Sequence, residues 1–214
     1  EAQMRLFHLS DLHIGKRVNE FSMIEDQKYI LERILDLAEK EMPDGVILAG
    51  DIYDKQIPSA EAVQVFDEFI TKLAERKFPV FVISGNHDSA ERLAFGGRLL
   101  NSRGIYLSPV YDGTVMKIPI ADQYGTVWIH LLPFIRPAAV RRVFEDESDL
   151  ITDVQSAVRA VISHMEIDPN ERNILVAHQF VTGASRCESE DIQVGGLDNI
   201  DASVFEAFDY TALG

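Results

Sequence analysis

The chain has 214 residues, 46% of them apolar, enough to bury one substantial core; no apolar run is long enough to span a membrane and the start lacks a secretory pattern, so a cytoplasmic protein is expected. Its formal charge of −15 argues against a broad basic surface that grips nucleic acid unaided. The single cysteine, Cys187, excludes an internal disulfide and a Cys-rich zinc site, and in the polar run Ser185-Arg186-Cys187-Glu188 it reads as a loop cysteine.

Glu1, Ala2 and Gln3 precede Met4 and carry no functional weight. Arg5-Leu6-Phe7-His8-Leu9 reads as a short strand running into Ser10-Asp11-Leu12-His13. From Phe21 to Lys40 the apolar residues Ile24, Leu31, Ile34, Leu35 and Ala38 recur at near-helical spacing, and Pro43 and Gly45 end the run. Val46-Ile47-Leu48-Ala49 is a continuous apolar strand that delivers Gly50-Asp51. The unit then repeats. Ser59 is placed to cap a helix whose stripe is Val63, Phe66, Phe69, Ile70 and Leu73, and Phe78 to Ile83 is the next strand, ending at Ser84-Gly85-Asn86-His87-Asp88.

Short extended pieces follow at Ile105 to Leu107, Val115 to Ile118 and Val127 to Leu132, separated by Gly104, Gly113 and Gly125, and they predict a second sheet. Asp149 to Met165 returns to helical spacing, Ile174 to Ala177 is a buried strand that delivers His178, and Tyr210 to Leu213 is a last strand ending at Gly214. Apolar strands alternating with helices favour parallel pairing, and the extra strands favour a two-layered sheet core between helices. The glycine-rich turns that bind dinucleotides or nucleoside triphosphates are lacking.

The polar runs beyond four strand ends carry the candidate chemistry, because a parallel sheet gathers those ends at one edge. Asp11 and His13, two apart, point the same way on extended backbone; the pair fits manganese, iron or zinc, and equally a structural hydrogen-bonded pair. An unpaired charge at Asp51, after four apolar residues and a glycine, is expensive to bury, although a turn aspartate has the same look. Asn86 offers an amide oxygen or a turn. Individually, His87 and His178 fit hydrogen-bonded or surface histidines.

Taken together, Asp11-x-His13, Gly50-Asp51-x-x-Asp54, Gly85-Asn86-His87-Asp88 and Ala177-His178, each after an apolar strand, resemble the calcineurin-like metallophosphoesterase family. The resemblance implies a four-layer α-β-β-α sandwich with two mixed sheets, forming one catalytic domain over residues 4–214. It implies Asp11 and His13 on one metal, Asp51 bridging both, and Asn86 with His178 on the second. His87 is implied to stand beside the phosphate as a catalytic group with Asp88 orienting its ring, while Asp54 supports the loop. Family members complete the site with a Gly-His-x-His motif, one histidine for each metal. The sequence stops at Leu213-Gly214, so the resemblance implies a domain truncated before that pair, without cap and ATPase-binding segments.

Within the family the chain is most similar to the SbcCD-type nuclease subunits. The similarity rests on Phe7 to Lys16, Ala49 to Asp54, Ile83 to Ser89, Leu132-Pro133-Phe134-Ile135-Arg136-Pro137, Ala177 to Ala184, Gly195-Gly196-Leu197-Asp198 and Phe208 to Gly214. Ala177 departs from the glycine common there. This resemblance implies a DNA nuclease acting on ends or hairpins in double-strand break repair, with two divalent metal ions, manganese favoured. The implied partners are DNA, an SbcC-like ATPase and a second nuclease subunit, with no membrane. Lys16, Arg17, Lys55 and Arg136 lie near the relevant loops and fit phosphate contacts or solvated charges. Residues 1–140 carry 15 basic and 20 acidic side chains, and residues 141–214 carry 5 and 15, so a phosphodiester is expected to be held by metals, which invert the local field, while other segments or a partner supply a basic track. A phosphatase of the same fold, or a structural module of a repair ATPase, is the alternative.

Overall fold

The structure, a computed structural model, describes residues 4–182 and 199–214. Glu1 to Gln3, the loop cysteine Cys187, and the motif residues Gly183, Ala184 and Gly195 to Asp198 lie outside the described residues. In chain order come β1 (Leu6–Leu9), a small hairpin of β2 (Arg17–Val18) and β3 (Phe21–Ser22), α1 (Ile24–Glu41), β4 (Gly45–Ala49), α2 (Ala60–Glu75) and β5 (Val80–Ile83). Two short helices, α3 (Ala90–Leu93) and α4 (Gly97–Leu100), lead to β6 (Ile105–Leu107), β7 (Met116–Asp122) and β8 (Gly125–Leu131). Then follow α5 (Pro137–Val143), α6 (Val154–Ser163), β9 (Arg172–Ala177), β10 (Val181–Thr182), β11 (Ile200–Asp201) and β12 (Tyr210–Leu213).

Local chemistry sets these bounds. α1 buries Ile24, Leu31, Leu35 and Ala38 along one stripe, with Glu25 and Asp26 in its first turn and Lys40 in its last, each sign complementing the helix dipole. Phe21 and Ser22, read from periodicity as helix, pair instead with Val18 and Arg17, so the helix starts three residues later than expected. α2 starts at Ser59, whose Oγ accepts from Ala62 N at 3.1 Å. The helix expected from Asp149 is only Val154–Ser163: Asp153 caps it and exchanges hydrogen bonds with Ser156, which fixes the start. α5, which apolar spacing did not reveal, begins with Pro137 in its first turn.

Strands β1-β4-β5-β6 form one sheet and β12-β9-β8-β7 the other. The first is parallel throughout, because helices carry the chain between its first three strands; the second pairs β12, β9 and β8 in parallel and closes with β7 antiparallel to β8 across a tight turn. Only the second sheet is therefore mixed, a correction to the expectation of two mixed sheets. The four layers are as expected. Val46, Leu48, Val80 and Val82 face α1 and α2, while Ile47, Ala49, Phe81 and Ile83 meet Ile129, Leu131, Val176 and Ala212 of the second sheet. Leu175 and Ala177 face Val140, Ala157, Val158 and Val161 of the outer helices. This alternation is the two-residue period of strands buried on both faces. No helix among the described residues is long and apolar enough to cross a membrane.

Candidate metal centre

The carboxyl ends of β1, β4, β5, β9 and β12 open on one edge of the sandwich. Beyond β1 and β4 the two loops stay paired, with Asp11 N donating to Gly50 O at 3.1 Å, His13 N to Asp51 O at 3.0 Å and Ile14 N to Ile52 O at 2.9 Å. From α1, Gln27 holds the first loop: its amide nitrogen donates to Leu12 O at 3.0 Å and His13 O at 2.8 Å, and its amide oxygen accepts from Gly15 N at 2.9 Å. Nothing in the spacing of α1 singled that residue out.

Three of the sequence-predicted ligands sit on left-handed backbone, Asp11 at φ 55°, His13 at 43° and Asp51 at 49°. Such conformations are uncommon for residues with a Cβ and concentrate where function over-determines the backbone. Their side chains converge. Asp51 is 3% exposed, and its Oδ2 lies 3.4 Å from His178 Nε2 and 3.7 Å from His13 Nε2, which is itself 3.7 Å from Asp11 Oδ1. His13, Asp51 and His87 bring one ligand atom each within 4.8 Å of one another, as do Asp11, Asp51 and His178. Asp51 belongs to both groups.

His178 supplies the fit test for a metal. Its Nδ1 faces Ala49 O at 2.8 Å and must donate there, which in a neutral ring leaves a lone pair on Nε2. That lone pair points at two oxygens, Asn86 Oδ1 at 3.0 Å and Asp51 Oδ2 at 3.4 Å. Acceptors facing one another are repulsive unless a proton or a cation lies between them, and a histidine whose other nitrogen donates to a backbone carbonyl is oriented as a metal ligand is. The residues present fit divalent ions. With protons alone the charges lean the same way: burial opposes a charged His178, but the Asp51 carboxylate raises its pKa above the usual imidazole value. Burial likewise opposes ionisation of Asp51, yet His178 and the His87 amide keep its pKa below the ordinary carboxylate value. The Asp11 carboxylate raises His13, and His13 and Ser10 lower Asp11 against the effect of burial.

His87 is exposed at the mouth of the site, with Nδ1 3.1 Å from Asp54 O and its ring edge-on to His13 at 4.9 Å between centroids. Asp54 meets the loop through its carbonyl, 3.1 Å from His87 Nδ1, and its carboxylate lies 3.6 Å from His13 Nδ1, beyond hydrogen-bond reach. Asp88 is a correction. Instead of orienting the His87 ring, its buried carboxylate accepts from Ile52 N at 3.1 Å, Tyr53 N at 2.9 Å and Gly85 N at 2.9 Å, tying the β4 and β5 loops together. Burial and the nearby Asp51 charge raise its pKa against those amides. Asp88→Ala leaves three buried amides unpaired, so urea unfolding should show a loss on the order of 3 kcal/mol or more.

Sequence reasoning also missed the glycines that let the loops close. A Cβ on Gly50 would lie 2.6 Å from His178 Nδ1, and one on Gly214 would lie 1.9 Å from Ala49 O and 2.4 Å from the same nitrogen. Gly85 is packed as closely against Asp51, where a Cβ would lie 2.1 Å from Oδ1. Glycine directly after an apolar strand is the available signal for such close approach, and Gly50 and Gly214 carry it.

Residues 4–204 match the family described as calcineurin-like phosphoesterase. The D component of nuclease SbcCD from Staphylococcus epidermidis is 35% identical over 99% of this chain and 56% of its own length. The protein of that name from Staphylococcus saprophyticus is 34% identical over the same shares. The chain thus spans little more than half the length of these curated relatives. Among solved structures, TT1561 of Thermus thermophilus superposes with a TM-score of 0.47 at 12% identity, covering 89% of this chain and 73% of that one, a likeness too weak to bear on function.

Proposed function

The chain belongs to the calcineurin-like phosphoesterase family, and on that premise we propose that it is the catalytic part of a metal-dependent nuclease cutting DNA phosphodiesters at ends or hairpins during double-strand break repair. The observation that carries the reading is the placement of Asp51 between two ligand clusters, with His178 Nε2 aimed at Asn86 and Asp51. The relatives named as nuclease components of SbcCD favour a phosphodiester over a monoester substrate.

On the pairing that the family resemblance implies, Asp11 and His13 would hold one cation, Asn86 and His178 the other, and Asp51 both, while the ligand atoms that converge around Asp51 group Asp11 with His178 and His13 with His87. When bound, two divalent ions supply charge neutralisation at the phosphate and a water of lowered pKa; mixed oxygen and nitrogen donors suit manganese. Asp54 O fixes the His87 ring, so that Nε2 remains to steady or protonate the departing oxygen at the mouth of the site. By relation to the SbcCD proteins, the partners are DNA, an SbcC-like ATPase and a second nuclease subunit, in the cytoplasm. Phe95 and Leu99, 86% and 80% exposed just beyond the Asn86 to Asp88 loop, offer apolar surface for that second copy.

The test is a manganese-supplemented assay on linear duplex, hairpin DNA and p-nitrophenyl phosphate: DNA cleavage is expected, whereas monoester turnover with intact DNA returns the phosphatase reading. In the same assay His87→Ala should lose roughly 10²- to 10⁴-fold in turnover while keeping its metal content by elemental analysis. Turnover equal to the parent removes His87 from the chemistry, and loss of one ion makes it a ligand.

A further inference from the structure

A cleft of about 330 Å³ opens beside the metal centre, and Asn86 lines it as well as facing His178. Its size is at the small end of ligand pockets, right for one planar group and too small for a duplex. Phe180, 42% exposed, lines it and directly follows the ligand-bearing segment His178-Gln179. Phe134 and Arg136 also line it: the Arg136 guanidinium lies 5.4 Å from the Phe134 ring centroid, and Phe134 N donates to Ser84 O at 2.8 Å, which ties this part of the lining to the loop bearing Asn86. Gln179 also lines the cleft; its side chain is 5% exposed and its Oε1 has no hydrogen-bond partner among the described residues.

We propose that this cleft seats a single nucleobase of the strand whose phosphate occupies the metal centre, with Phe180 and the Arg136–Phe134 pair as its stacking surfaces. The proposal rests on the nuclease reading above and goes beyond it by naming what recognises the nucleotide. A chain of net charge −15 repels a polyanion, so holding a strand calls for contacts that do not depend on a basic surface. Aromatic and guanidinium faces serve any base, since every base has a π-face, and each stacked base strengthens binding by about 5- to 150-fold.

The full chain with manganese is titrated calorimetrically with deoxyadenosine 5′-monophosphate and with deoxyribose 5-phosphate, which lacks the base. The parent should prefer the nucleotide by at least about 5-fold. Phe180→Ala and Arg136→Ala should bring that ratio towards one, and Phe180→Tyr, which keeps a ring, should preserve it. Equal binding of both probes by the parent, no binding of either, or a ratio untouched by both alanine variants overturns the subsite. The two readings fail separately: nucleotide preference with oligonucleotides left intact in manganese rejects the nuclease, whereas DNA cleavage without preference rejects only the base seat.

Discussion

Asp51→Ala is expected to weaken manganese binding at both positions together and to abolish turnover, the largest functional effect of any substitution in the site. Asp51 is the residue common to both ligand clusters. Removing a residue that merely orients a metal ligand typically costs about 10- to 100-fold in metal affinity, and loss of a carboxylate shared by two ions should exceed that for each. The effect will not stay local. Oδ1 accepts from His87 N at 2.9 Å, so the variant also frees the loop carrying Asn86 and His87. Calorimetric titration with manganese reads it directly; a variant that loses one ion and keeps the other at parental affinity shows that Asp51 serves a single cation.

Gly85→Ala should do comparable damage without touching a ligand. A Cβ there would sit 2.1 Å from Asp51 Oδ1 and 2.3 Å from Asp51 N, the second a backbone atom that cannot swing aside. Both loops are also tied through Asp88, so neither yields alone. In an interior packed this closely, the expected result is a stability loss on the order of 3 kcal/mol or more, with metal affinity falling alongside. Chemical unfolding of the metal-free protein separates the two effects, because the steric clash persists without any ion. An alanine variant with parental stability and manganese affinity shows that the loops have room the close approach denies.

The sequence made the strand ends legible for a physical reason: buried strands are unbroken apolar runs, and the first polar residues beyond them stand out. Asp11, His13, Asp51, Asn86, His87 and His178 were singled out in this way, and the structure gathers all six at one edge. Pair-specific geometry was not legible. Asp88 looks like a partner for the adjacent His87, but sequence adjacency cannot show that three amides from two loops converge on its carboxylate. Gln27 acts on a loop more than ten residues earlier, a relation that helical periodicity does not encode. The mixed character assigned to both sheets erred where helical crossovers leave the first sheet wholly parallel. Metal identity, DNA substrate and partners rest on relatives of which this chain spans 56% of the length.

The proposed chemistry turns on one carboxylate shared between two cations. Electron paramagnetic resonance of the manganese-loaded chain tests this most directly, because ions bridged by one carboxylate interact magnetically and isolated ions do not. The predicted result is a spin-coupled pair at two equivalents of manganese, lost in Asp51→Ala. A spectrum of isolated ions at every loading would contradict it.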